Sequence, residues 1–492
     1  MNILLVYPEF PDTFWSFKHA LKFVNKKSGS PLLGLLTVAA MLPNGWNLRL
    51  VDLNVENLAE DDLVWADYVF LSAMAVQRQS AQKVINLCEN AGVKIVAGGP
   101  LFSMEHERFS DVDHFVLNEA EETLEPFLSD LEMGRARNLY ETKKFPDIHQ
   151  TPAPLWQLAN LKNYNTVSIQ FSRGCPFNCD FCNVTALLGH TPRTKTAQQI
   201  IAELDGIYDL GWRKSIFFVD DNFIGNKKYI KHEVLPALIE WRKGKKDIPF
   251  STEASINLAD DPELIKLMVK AGFDTVFVGI ETPNEASLTE CRKTQNKGRD
   301  MLESVRILHR AGLQVQGGFI VGFDNDSPSI FQQQIDFIQR SGIVTAMVGM
   351  LQAPLGTRLY QRMQEQDRLI NSFSGDNADG STNIIPKMGF DQLHDGYRKI
   401  LSHIYAPKYY YDRVLTFLRE YQPPKISVKL AIQDYLALLR SIYHLGIHGV
   451  ERFHYWRIFF WTLFRRPRLL PMAITFSIIG FHFRKVVDLH IN

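Results

Sequence analysis

Apolar residues in the first part of the chain gather into short runs, "NILLVYP", "NLRLVDLN", "YVFLSAMA", "VKIVAGGP" and "HFVLNEAE". Between them lie helical patterns such as "AQKVINLCENAG". Strands alternating with helices predict a parallel sheet with crossover helices, an α/β arrangement. Several of these strands run out into Pro8, Asp52, Asn54, Ser72, Gly98, Gly99 or Asn118, and in an open parallel sheet the ligand crevice lies at such carboxyl ends. Residues 1–135 therefore read as a Rossmann-like binding domain. No G-x-G-x-x-G follows the first strand, so a dinucleotide is not the expected ligand.

A Pro-containing linker, residues 136–164, leads to a second series over 165–365. Its strands are "TVSIQF", "KSIFFVDDN", "PFSTEASINL", "DTVFVGIETP", "QVQGGFIVGF" and "TAMVGMLQAP". Helical patterns between them end at Gly211, Gly244, Gly272, Gly312 and Gly342, because glycine takes the left-handed conformation that closes a helix. In "DDPELIKLMVKAGF" either Asp260 or Asp261 is the expected cap, with Pro262 in the first turn. Six such units fall short of the eight of a closed barrel, so a partial (βα)6 barrel is expected.

Residues 366–492 read as a mainly helical domain, with a loop over Gly375–Asn383 near its start. Its last stretch, "RFHYWRIFFWTLFRRPRLLPMAITFSIIGFHFRK", is the most apolar and aromatic of the chain. Arg468 to His482 offers only about 13 uncharged residues, interrupted by Pro471, against the roughly 20 of a spanning helix. Two readings stand: a buried helix pair, or an interfacial helix with Arg465, Arg466 and Arg468 facing lipid head groups.

Composition adds exclusions. Apolar residues are 46% and charged ones 22% of 492, the balance of a globular protein. Lys+Arg and Asp+Glu both number 54, which gives no global pull toward nucleic acid. The N-terminus lacks the pattern of a secretory signal, so a cytoplasmic location is expected, with membrane association through the last helices as the alternative. A reducing compartment disfavours disulfides among the five cysteines.

Three of those cysteines, Cys175, Cys179 and Cys182, stand in "RGCPFNCDFCNV" with C-x3-C-x2-C spacing. Three thiolates can hold three corners of a 4Fe-4S cluster and leave one iron open to a small molecule. Zinc is the rival, although a three-ligand catalytic zinc usually takes histidine or carboxylate and no histidine lies in the loop. Cys88 falls in an apolar helical pattern and reads as core. Cys291, after the fourth barrel strand, is either structural or a hydrogen-atom donor at the barrel mouth.

The segment Arg173 to Cys182, following "TVSIQF", resembles the signature loop of the radical S-adenosylmethionine enzymes. That resemblance implies a cluster on Cys175, Cys179 and Cys182 that chelates S-adenosylmethionine, with Phe181 near the adenine. It also implies that Asp221, with Asp220 beside it, holds the methionine amino group. Glu253 and Glu281 would reach ribose or methionine, and Gly318 and Gly322 in "GGFIVGF" would border the adenine. For any one of these carboxylates, a helix cap or a salt bridge remains the structural alternative.

The whole chain is similar to the cobalamin-binding subclass, in a branch related to hopanoid methylases and to the bacteriochlorophyll methylases and cyclase. "PLLGLLTVAAMLP", "VDLN", "AGGPLFS" and "HFVLNEAEETL" carry that likeness. It implies cobalamin near Ser72, Gly98, Gly99, Pro100 and Asn118. The D-x-H-x-x-G element is absent around His114, so the cobalt is expected to lack a histidine ligand. The implied reaction is C-methylation of an apolar or polycyclic small molecule, a lipid or tetrapyrrole, through a 5'-deoxyadenosyl radical and methylcobalamin. An oxidative cyclase with the same cofactors is the alternative. An electron donor such as flavodoxin or ferredoxin is implied, and no nucleic acid partner.

Overall fold

The computed structural model describes residues 1–245, 248–376, 379–424 and 432–491. These residues form two units that do not follow chain order. One comprises Met1–Pro11, Lys27–Cys175 and Asn183–Arg213; the other comprises Asp12–Lys26, Pro176–Cys182 and Lys214–Asn492.

In the first unit, β1 (Asn2–Tyr7), β2 (Asn47–Asp52), β3 (Tyr68–Ser72), β4 (Lys94–Gly98), β5 (His114–Val116) and β6 (Leu139–Tyr140) make a six-stranded sheet in the order β2-β1-β3-β4-β5-β6. All its ladders are parallel. Leu4, Val6, Val69, Leu71, Ile95 and Ala97 pack on one face, and Ile3, Leu5, Phe70, Val96 and Val116 on the other. A sheet buried on both faces needs apolar residues at every position, which explains why these strands read as continuous apolar runs. The strand order reverses between β1 and β3, a topological switch point where ligand crevices form. Strand β6 escapes the sequence reading: its two residues lie among polar neighbours in the expected linker, and two residues carry no period.

After β6 come β7 (Val167–Ile169) and an antiparallel ribbon of β8 (Ser172–Arg173) and β9 (Arg193–Thr194). In the second unit, β10 (Ile216–Phe218), β11 (Phe250–Glu253), β12 (Phe273–Glu281), β13 (Gln314–Val321) and β14 (Ala346–Met350) pair in sequence, all parallel. All six expected barrel strands, β7 and β10–β14, are present. Helices end at Gly272, Gly312 and Gly342 with positive φ, as the glycine punctuation predicts. Asp261 is the cap of the helix Pro262–Ala271, accepting from Leu264 N at 3.1 Å. Asp260 instead pairs with Arg299 at 2.9 Å.

The second unit closes with helices Phe390–Ile404, Pro407–Glu420, Ile432–Ser441, Arg452–Arg465 and Leu470–Ile491. The expected loop over 375–383 contains no helix or strand among its described residues; Asn377 and Ala378 lie outside them. Pro471 sits at the second position of the last helix, where no N–H is needed, and so does not interrupt it. That helix buries Phe476, Phe483 and Val486. Phe483 meets Phe14 at 5.4 Å between ring centroids, and His482 Nε2 approaches Phe14 O at 3.2 Å. The stretch Pro467–Leu489 is long and apolar enough to cross a bilayer, yet 56% of its most apolar window is buried in protein. For this helix the buried reading holds.

Candidate active site

The cysteine loop begins at a glycine that only glycine can be. At Gly174 φ is 89°, and a Cβ would meet the carbonyl oxygens of Gly189, Thr191 and Leu188 at 2.9, 2.9 and 3.0 Å. Cys175 N then donates to Gly189 O at 3.2 Å. Farther along, Cys182 N donates to Cys179 O at 3.2 Å, and Asp180 N to Cys291 O at 3.0 Å. All three loop thiols are half-buried. Gln295 Nε2 lies 3.7 Å from Cys179 Sγ, a donor to sulfur. A cubane seats each of three thiolates on a different iron. The all-sulfur donor set and the amide aimed at sulfur fit a cluster.

Within the first unit, a buried ionic clamp grips the start of this loop. Arg173 contacts Glu119 at 2.6 Å and Glu121 at 2.9 Å, while Arg193 contacts Glu119 at 2.6 Å. Thr151 Oγ1 donates to Glu121 at 2.6 Å. Burial alone would raise the Glu121 carboxyl, but the Arg173 guanidinium outweighs it and holds the group below its ordinary range. Glu119 and Glu121 belong to "LNEAEETL" at the entry to the helix Ala120–Glu132.

The second unit places Asp221, Glu253 and Glu281 at the carboxyl ends of adjacent parallel strands β10, β11 and β12. Burial, then the charges of Asp221 and Asp220, push the Glu253 carboxyl up to about 8. Burial pushes Asp221 up to about 6. Asp220 is fully buried. Asp221 is crowded by protein yet exposed at its outer surface, so solvent screening tempers its shift.

Glu281 is buried at φ 62°, a conformation unusual outside glycine, at an irregularity in the β12–β13 ladder. Its carboxylate meets Lys293 Nζ at 2.6 Å. Burial would lower the Lys293 ammonium, but Glu281, Cys179 and Cys182 together hold it above its ordinary value. A Cβ on Gly279 would sit 2.3 Å from Glu281 Oε1 and 2.7 Å from Lys293 Nζ, so that glycine makes room for the pair. Asn296 Nδ2 donates to Gly279 O and Ile280 O, each at 3.0 Å, and Gln334 Nε2 to Glu281 O at 2.9 Å. Lys293, Gln295 and Asn296 were not anticipated from sequence. The polar density of "CRKTQN" was the available signal.

Phe181 is half-buried, 6.2 Å from the Phe323 ring and 5.8 Å from Lys293 Nζ. Gly318 lies inside β13, where a Cβ would meet Phe277 at 2.9 Å. At Gly322 φ is 103°, and a Cβ would meet Leu393 at 3.0 Å. Packing and backbone conformation therefore account for both glycines. Cys291 is buried, with Sγ 3.7 Å from Leu288 O, and burial pushes its thiol up to about 12. It packs with Phe323, Leu351 and Leu359, a structural position. Cys88 is likewise core.

In the first unit, Ser72, Gly98, Gly99, Pro100 and Asn118 lie at or just beyond the carboxyl ends of β3, β4 and β5. A Cβ on Gly99 would meet Ser72 Oγ at 2.4 Å, and one on Gly98 would meet Val116 O at 2.7 Å. Glycine is required at both positions by the close approach of neighbouring protein atoms. His114 is buried between Tyr68 and Phe127, with Nδ1 2.7 Å from Arg137 O, and is engaged within the fold.

A parallel βα series carrying a three-thiol loop, joined to a parallel-sheet binding domain and a helical extension, defines a class. The chain matches the B12 binding domain over residues 26–128, the Radical SAM superfamily over 169–338, and a domain of unknown function (DUF4070) over 357–492. It is 38% identical to an uncharacterized methyltransferase of Synechocystis, covering 98% of this chain and 91% of that one. It is 32% identical to a hopanoid C-2 methylase of Rhodopseudomonas palustris, covering 97% and 93%. Its fold is similar to the radical S-adenosylmethionine methyltransferase TsrM from Kitasatospora setae, with a TM-score of 0.60, 14% identity and 99% of both chains covered. The chain belongs to the cobalamin-binding radical S-adenosylmethionine enzymes.

Proposed function

We propose that this enzyme methylates an unactivated carbon of an apolar polycyclic lipid. The observation that carries this reading is the near end-to-end match, helical extension included, to a chain named as a hopanoid C-2 methylase. When bound, the cluster and S-adenosylmethionine supply a carbon-centred radical, and cobalamin supplies the methyl group.

The chain's own residues have definable tasks in this proposal. Cys175, Cys179 and Cys182 hold the cluster, and Lys293 offsets thiolate charge beside it. Glu253, raised toward neutrality, donates a hydrogen bond to the cofactor, whereas Asp221 and Glu281 accept. Phe181, Gly318 and Gly322 border the adenine. Ser72, Gly98, Gly99, Pro100 and Asn118 lie beside the cobalamin. Residues 1–135 serve as the cobalamin domain, 136–164 as linker, 165–365 as radical barrel and 366–492 as C-terminal helical domain. Flavodoxin or ferredoxin is the electron donor, and the enzyme works in the cytoplasm, touching the membrane peripherally.

The test is mass spectrometry of lipid extracts from cells with and without the gene. A lipid heavier by one methylene unit only where the gene is present is expected. A change of two hydrogens or one oxygen would favour the cyclase reading instead.

A further inference from the structure

Apolar residues of a soluble helix ordinarily face its core, but two consecutive helices near the C-terminus turn theirs outward. On the helix Ile432–Ser441 and its continuation, Tyr435, Leu439, Tyr443 and Ile447 recur at helical spacing and are exposed. On the helix Arg452–Arg465, Phe453 is 76% exposed and Phe464 is 78% exposed. The two helices pack on each other: Trp456 Nε1 donates to Gly446 O at 2.9 Å, and Tyr455 and Ser441 share a hydrogen bond of 2.9 Å. Single exposed apolar residues need no explanation, but a series over adjacent helices marks an interaction surface.

The charge around this face selects its partner. Between residues 432 and 470 the acidic residues are Asp434 and Glu451, against Arg440, Arg452, Arg457, Arg465, Arg466 and Arg468. Glu451 is buried and paired with Arg484 at 2.7 Å. Arg440, Arg457 and Arg466 are engaged with Phe23 O, Asp412 and Leu418 O. Arg452, Arg465 and Arg468 remain at the exposed surface. Phenylalanine and tyrosine beside outward arginines are the composition of a surface that lies in a head-group layer. A second copy of the same face would set arginines against arginines, which is unfavourable.

We infer that the exposed face of helices 432–447 and 452–465 docks this enzyme on an anionic lipid bilayer. The docking element is thus not the final helix, which is core. The inference sharpens the peripheral contact proposed above but does not need the lipid-methylase reading, because the face is argued from exposure and charge.

The experiment is flotation of the full-length holoenzyme with phosphatidylcholine vesicles, with and without phosphatidylglycerol. The enzyme is expected to float with the phosphatidylglycerol vesicles and to be released by salt. Phe453→Ser/Phe464→Ser should weaken partitioning by about tenfold or more. Arg465→Gln/Arg468→Gln should weaken it by about tenfold, on anionic vesicles alone. Both variants should cleave S-adenosylmethionine like the native enzyme. The inference is overturned if the native enzyme stays with the soluble fraction at low salt, or if the phenylalanine variant floats as well as native. A native dimer that the phenylalanine variant converts to monomer would assign the face to a second copy and overturn it too. None of these readouts involves the methylation product.

Discussion

At the residue scale, Cys179 and Glu253 make the sharpest claims. Cys179→Ala should abolish cluster assembly and S-adenosylmethionine cleavage, while Cys88→Ala, in a separate core, should leave both intact. Iron and sulfide analysis after anaerobic reconstitution checks this. Glu253 adds a pH signature. Its carboxyl, pushed up to about 8 by burial and by Asp221 and Asp220, binds its proton more tightly folded than unfolded. Its stabilising contribution is therefore complete below the ordinary carboxyl range and is lost as pH rises through about 8. Glu253→Gln should thus melt near native at pH 5 and gain on it toward pH 9, by about 1–2 kcal/mol once the shift is discounted for partial exposure. Thermal melts of the cofactor-free protein across that range measure it. The thiols were legible because three cysteines at close spacing have few structural explanations. Lys293 was not, since a lysine in a polar loop shows no period, and only the fold brings it to Glu281 and Cys179.

At the element scale, the ribbon of β8 and β9 stands on the Glu119 and Glu121 carboxylates, and this support sets the entry to the cysteine loop. Glu119 is buried and meets both Arg173 and Arg193. Removing one partner of a buried ion pair leaves uncompensated charge. Glu119→Ala should therefore cost about 3–5 kcal/mol and lower iron content per chain. Urea unfolding with parallel iron analysis reads both, and unchanged values would show that the clamp is dispensable. Helix ends and barrel strands were legible because each glycine at a helix terminus marks one. The clamp was not: Glu119 and Arg173 stand 54 residues apart, and "NEAEE" reads equally well as an ordinary acidic first turn. The fate of the last helices was beyond the sequence for a related reason. Both are apolar and aromatic, and the buried one is distinguished by tertiary partners such as Phe14, far away in the chain.

At the scale of the whole molecule, a B12 binding domain and a Radical SAM domain share one chain, and the proposed methylation would use S-adenosylmethionine twice. One molecule would give 5'-deoxyadenosine as hydrogen leaves the substrate, and a second would give S-adenosylhomocysteine as the methyl donor is renewed. The order of fold types was legible, because alternating strands and helices, a thiol loop and a helical tail follow one another along the sequence. It was not legible that Asp12–Lys26 belongs to the other unit, since a short excursion leaves no mark in hydrophobic pattern. The most direct test incubates the reconstituted, reduced enzyme with methyl-labelled S-adenosylmethionine and a lipid extract from cells lacking the gene, and quantifies both nucleoside products. The account predicts 5'-deoxyadenosine and S-adenosylhomocysteine in near-equal amounts, with label on a carbon of one lipid. Formation of 5'-deoxyadenosine alone, with no label transferred, would contradict it.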